Sequence, residues 1–234
     1  MADFRTASTT QAKSVTNVFM RGVYNWMAMG LGLTALTAYG VANTPAVREA
    51  IFGNSMVLIL MVVGLFGMVI ALSAAIHKMS ATTATAVFTA YAALNGAVLS
   101  SIFVVYTSAS IASTFVICAG MFGAMSLYGL TTKKDLTSWG SFLFMGLIGI
   151  VIAMVVNIFL QSSMLQFVIS GVGVLVFTGL TAYDTQKIKE MGETAPMDDS
   201  TAIRRGTIMG ALRLYLDFLN LFLMLLHFFG QTRD

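Results

Sequence analysis

The chain has 234 residues, 57% of them hydrophobic and only 10% charged, and its mean hydropathy is +0.84. That excludes a disordered chain, fits a water-soluble domain poorly, and reads as one polytopic membrane domain with no room for a soluble partner domain. The formal net charge of +3 is better explained by loop charges that set orientation in a bilayer than by nucleic-acid binding, because no basic patch with interleaved aromatics is present.

The first 19 residues, MADFRTASTTQAKSVTNVF, are polar and too weakly apolar for a cleaved signal peptide, and they read as a flexible tail ahead of a single transmembrane domain over 20–230. About 20 apolar residues span a bilayer as a helix. With that ruler the chain gives seven spans, Met20–Val41, Met56–Ile76, Thr83–Tyr106, Ile111–Leu130, Trp139–Leu160, Leu165–Tyr183 and Gly206–Phe229. Asn43-Thr44-Pro45 ends the first, and Gly53-Asn54-Ser55 precedes the second. Tyr106-Thr107-Ser108 is so tight that the spans on either side of it form an antiparallel hairpin. The only long loop is Lys187 to Arg205.

Lys and Arg mark the cytoplasmic side of a membrane. One side receives Arg5, Lys13, Arg21, Lys78, Lys133, Lys134, Lys187, Lys189, Arg204 and Arg205, and the other receives Arg48 and Arg233. The N-terminus of this multi-pass protein is therefore expected in the cytoplasm and the C-terminus outside, as an odd number of spans requires. The single cysteine, Cys118, sits in an apolar run and reads as a small packing residue. Gly206 and Gly210 make a strict G-x-x-x-G, a weak dimerisation signal whose better use is internal helix packing. Asn25, Asn95, Asn157 and Asn220 read as buried amides that bridge helices.

The stretch that carries chemistry is the last span. It holds Arg213, Asp217 and Asn220 well inside an apolar run, and an ionisable group in hydrocarbon is costly unless solvated or partnered. Asp184, at the inner end of the sixth span, is the candidate companion of Asp217. Two carboxylates in one low-dielectric pocket cannot both ionise cheaply, so such a pair shares a proton, responds to pH and can touch a hard cation through oxygen. Simple placement leaves Asp217 about 10 Å deeper than Asp184, so contact needs tilt or a recess reaching inward from the cytoplasm. The alternative is that each pairs alone, Asp184 with Lys187 or water and Asp217 with Arg213 one turn earlier. Lys78, Arg213 and Lys187 are the basic groups near that recess, and for Lys78 and Lys187 interfacial snorkelling is the plain alternative. His77 and His227 stand alone near span ends and lack metal-ligand spacing.

TGLTAYDTQKIK (Thr178–Lys189) and ALRLYLDFLNLFLMLL (Ala211–Leu226) resemble the Bax inhibitor family, the transmembrane Bax inhibitor motif proteins. TTKKDL at Thr131–Leu136 and YTSASIASTFV at Tyr106–Val116 look like its bacterial YbhL-type branch, which implies a bacterial inner (plasma) membrane. The resemblance runs from about Tyr24 to Gly230. It implies an all-α fold of seven helices, six wrapped around a central C-terminal seventh, and a pH-sensitive calcium leak. It also implies that Asp184 and Asp217 are the family's paired aspartates, with at most a weak calcium contact there and no resident cofactor. By position, Lys78 would be the basic latch at the cytoplasmic end of span two. Arginine is the residue usual there, and lysine cannot make the same bidentate fork. Arg213 also departs from the pattern, where a small or uncharged residue is expected, and its pairing with Asp217 would weaken a pH switch.

Three readings follow. The first is a pH-gated cation leak through the bilayer, with cations and protons as its partners. The second is a membrane regulator without transport that binds a protease or stress-response partner through the 187–205 loop, where Asp198 and Asp199 lie. The third, an intramembrane aspartyl protease, fails on its motif: such enzymes need G-x-G-D, and Leu214-Tyr215-Leu216 precedes Asp217 here. The chain is accordingly expected not to be an enzyme.

Overall fold

The computed structural model describes the backbone of residues 2–195 and 199–233 and the side chains of residues 15–195 and 199–233. Among the described residues the structure is all-helical, with α1 (Ala2–Ala42), α2 (Pro45–Phe52), α3 (Ser55–Ala75), α4 (Ala81–Leu99), α5 (Ile102–Val105), α6 (Ser108–Thr131), α7 (Thr137–Leu160), α8 (Ser163–Glu193) and α9 (Ser200–Phe229). Six segments are long and apolar enough to cross a membrane: Ser55–Lys78, Ala81–Val105, Ser108–Thr131, Thr137–Leu160, Ser163–Glu193 and Ser200–Phe229. The expected first span, Met20–Val41, lies within α1, which is not among the six. Tyr24, Asn25, Trp26, Thr34, Thr37 and Tyr39 dilute its apolar character.

The segment read as a tail has helical backbone from Ala2 onward. Among the described side chains at its end and just beyond, Thr16, Phe19, Met20 and Val23 are buried. The 187–205 loop is corrected more sharply. α8 continues to Glu193 and α9 starts at Ser200, so most of that segment is helix. Charged residues such as Lys187, Lys189, Glu190 and Arg204 hide a helix from a ruler that counts only apolar residues. Asp199 accepts from Ala202 N at 2.8 Å and helps start α9, whereas Asp198 lies outside the described residues.

The helix ends follow local chemistry. Pro45 opens α2, where its missing N–H costs nothing. Asn54 caps α3 by accepting from Met56 N at 2.9 Å, and Ser80 caps α4 by accepting from Thr83 N at 3.0 Å. The third expected span is broken at Ser100, whose hydroxyl bonds back to Ala97 O and divides α4 from α5.

By contacts the chain sorts into two compact units, Met1–Val104 with Ile188–Tyr215, and Val105–Lys187 with Leu216–Asp234. α8 and α9 contribute to both. In the first unit α4 packs against α1 and α3. α4 buries Ala84, Phe88, Tyr91 and Ala92 on one stripe, and at Gly96 a Cβ would lie 2.5 Å from Thr34 O, so only glycine permits this approach of α1 to α4. In the second unit α6 buries Ser110, Thr114, Cys118, Phe122 and Ser126, every fourth residue. Cys118 is a packing residue there, its thiol 3.6 Å from Phe218 O. The residues after α9 run beside the α5–α6 turn: Thr107 N donates to Gln231 O at 3.0 Å, and Arg233 N to Val105 O at 2.9 Å.

Candidate functional site

Asp184 is set by its neighbours in sequence. Tyr183 lies over Gly140 of α7, so close that a Cβ there would meet the ring at 2.4 Å. Thr185 bonds Ser126 of α6 at 3.1 Å. Gln186 accepts from Leu136 N at 2.9 Å and donates to Lys134 O at 2.8 Å, tying α8 to the α6–α7 loop. Three consecutive side chains at about 100° intervals thus grip α7, α6 and the loop, and they fix the rotation of α8. On that setting Asp184 falls on the stripe of Phe177, Leu180, Thr181 and Ile188, all of them buried. It is itself half-buried.

Asp217 is set the same way on α9. Two residues earlier, Tyr215 is fully buried in the first unit. Its hydroxyl bonds Thr34 Oγ1 at 2.6 Å and accepts from Asn95 Nδ2 at 3.1 Å. Its ring meets Phe88 and Tyr91 edge to face, with centroids 5.8 Å away in each case. One residue later, Phe218 meets Phe115 and Phe122 of α6 edge to face, with centroids at 5.4 Å. Asp217 lies between these anchors and is only 5% exposed, a deeply buried carboxylate in an apolar helix.

The structure distributes the candidate residues between the units. Asp184, Lys187 and Asp217 belong to the second, and Lys78 and Arg213 to the first. Lys187 is half-buried; Lys78, ending the 3-10 turn Ile76–Lys78, and Arg213 are exposed. Asp184, Lys187, Arg213 and Asp217 each engage a neighbour. Among the described residues no group of three or more His, Cys, Asp or Glu is placed to hold a metal.

The family model described as inhibitor of apoptosis-promoting Bax1 matches residues 16–234. The chain belongs to the Bax inhibitor family. Among its relatives in that family, the Escherichia coli inner membrane protein YbhL is 54% identical over 229 residues, covering 98% of each chain. A Borreliella burgdorferi protein is 49% identical over 220 residues, 94% of each chain, and a Rickettsia prowazekii protein is 44% identical over 239 residues, 100% of each. YDTQ and LYLD, the segments on which the resemblance rested, sit where flanking side chains lock a helix.

The side chains that position the two aspartates gave only partial signal in the sequence. Asn95 bridges helices as expected, whereas Asn25 is exposed. Thr34 gave no signal, because a threonine in an apolar helix shows nothing of a tyrosine 181 positions away. Arg205 was assigned only to a loop, yet it donates through Nη1 to His77 O at 2.7 Å. Gly206 packs on Phe19, and Gly210 on Val23 and Ile188, so the G-x-x-x-G serves internal packing. Outside the spans, Asp135 accepts from both the amide and the hydroxyl of Thr137, which hold its carboxyl below the usual carboxylate range.

Proposed function

We propose that this Bax inhibitor family protein is a pH-sensitive cation leak channel of the bacterial inner membrane, with calcium as the permeating ion. Asp184 and Asp217 share a proton and act as its gate. α1 crosses the membrane as a seventh span, the N-terminus is cytoplasmic, and α9 is the central helix whose packing alternates between closed and open. The protein is a conduit rather than an enzyme and carries no resident cofactor.

The observation that carries this reading is the burial of Asp217 on a membrane helix, in the same compact unit as half-buried Asp184. A buried ionisable group inside a span defaults to a functional role, and a change in its charge can bias a two-state helix. Each end of α9 is tied within its own unit. Its N-terminal end meets the α3–α4 connection through Arg205 and His77, and the residues after it meet the α5–α6 turn.

The test is calcium flux into liposomes holding the purified protein, measured at several pH values beside Asp217→Asn. The expected result is pH-dependent flux in the parent and flux without that dependence in the variant. Unchanged pH dependence in the variant would remove the gate. No flux above empty liposomes at any pH would favour the regulator that binds a membrane-protein partner through residues 187–205.

A further inference from the structure

The first unit contains a recess of about 370 Å³. It opens where α3 ends and α9 begins, the depth at which lipid headgroups meet a membrane span. Its basic groups are Arg205 and Arg213, with His77 beside them, and none of the described residues that line it is an Asp or Glu. Its apolar wall is Phe19, Ile76, Met191 and Met209.

Helix geometry makes this more than a chance cluster. Arg205, Met209 and Arg213 are spaced i, i+4 and i+8 on α9, so one stripe presents a guanidinium, a thioether and a second guanidinium in line. The two arginines are separated by about 12 Å along the axis. Arg205 is held in place by its bond from Nη1 to His77 O at 2.7 Å, and its Nε is buried with no hydrogen-bond acceptor among the described residues. A buried donor without an acceptor is uncommon and calls for a reason. A recess with cationic forks at both ends and methionines between them suits an anion attached to a hydrocarbon chain. Guanidinium groups bind phosphate through paired, charge-assisted hydrogen bonds, and flexible methionines adapt to an irregular apolar chain.

We propose that this recess binds the phosphate headgroup of an anionic phospholipid, with the first carbons of its chains against Met191 and Met209. Arg205 is the headgroup ligand nearest the membrane surface, and Arg213 closes the deeper end.

The experiment measures the rise in unfolding temperature of the purified full-length protein in neutral detergent on titration with short-chain phosphatidylglycerol. Short-chain phosphatidylcholine and inorganic phosphate are the parallel probes. The expected result is a saturable rise with phosphatidylglycerol alone, its affinity lowered about tenfold or more in Arg205→Gln, which loses a charged hydrogen bond. Met209→Glu, which puts a negative charge on the stripe while leaving the Arg205 tether intact, should lose the rise as well and decides the matter if Arg205→Gln does not fold. Equal rises with phosphatidylglycerol and phosphatidylcholine would overturn the proposal, as would unchanged affinity in the folded variants. A full rise with inorganic phosphate alone would overturn the lipid assignment in favour of a free anion.

Discussion

α3 and α9 make opposite use of apolar residues. The α3 span is the most apolar of the six, with mean hydropathy 2.8, yet only 6% of it is buried inside the protein. α9 is the least apolar, at 1.6, and is 72% buried. In a water-soluble protein that order would be reversed. In a bilayer the apolar helix loses nothing by facing lipid, whereas a helix carrying Arg213, Asp217 and Asn220 gains by facing protein, where polar groups find partners. Burial in this molecule therefore follows the need for hydrogen bonds and close packing rather than the avoidance of solvent. The difference shows in the side chains. α3 exposes Ile59, Leu60, Val63, Phe66 and Ile70, while α9 buries Leu212, Leu214, Tyr215, Leu221, Leu225 and Leu226.

The strongest test of this contrast is truncation. Tyr215→Ala removes a fully buried ring and leaves Thr34 and Asn95 without their shared hydroxyl. It should lower stability by about 3–5 kcal/mol, read as a loss of unfolding temperature in detergent. Leu60→Ala on α3 should change it by less than about 0.5 kcal/mol. Equal losses would mean that α3 is packed in the membrane and would break the comparison. A charge tests the same contrast from the lipid side. Phe66→Asp, near the middle of α3, should weaken membrane insertion by about 3 kcal/mol, measured with a glycosylation reporter after that span. Efficient insertion would place Phe66 against protein or water.

The smallest expected effect lies outside the spans, at Asp135. Its carboxyl is held below the usual range by its two bonds from Thr137, so the group stabilises the folded state when ionised and loses that contribution as pH falls through its depressed folded value. Asp135→Asn should therefore be slightly less stable than the parent at neutral pH. The difference should fade below about pH 4, where an unfolded aspartate protonates. An undiminished difference at low pH would mean that the Asp135 hydrogen bonds, rather than its charge, support the start of α7.

Much of the fold was legible because transfer cost is a local property. The second, fourth and fifth expected spans each coincide with a helix to within a few residues, and the breaks read at Asn43-Thr44-Pro45 and Gly53-Asn54-Ser55 fall at helix boundaries. Two features escaped that reading. Charged residues concealed the continuation of α8 to Glu193, and Ser100 looked like any small residue in an apolar run although its hydroxyl ends α4. Of the candidate site, Asp184 and Asp217 were legible as charges inside apolar runs, because such charges are rare enough to signal by themselves. Their supports were not legible. The grip of Tyr183, Thr185 and Gln186 on α6, α7 and the loop between them, and the bonds of Tyr215 to Thr34 and Asn95, join residues far apart in the chain.

The sequence by itself determined that this is a multi-span membrane protein of the Bax inhibitor family, roughly where most of its apolar helices lie, and which two carboxylates lie within them. These follow from hydropathy, polar breaks and motif, each of which acts over a few residues. Only the tertiary structure decided which helix is packed and which faces outward, that Asp217 is buried while Asp184 is half-buried, and that Arg205 and Arg213 line one recess. Hydropathy measures the cost of leaving water, and lipid and protein neighbours meet that cost equally well, so the choice between them rests on hydrogen bonds and close packing between distant parts of the chain.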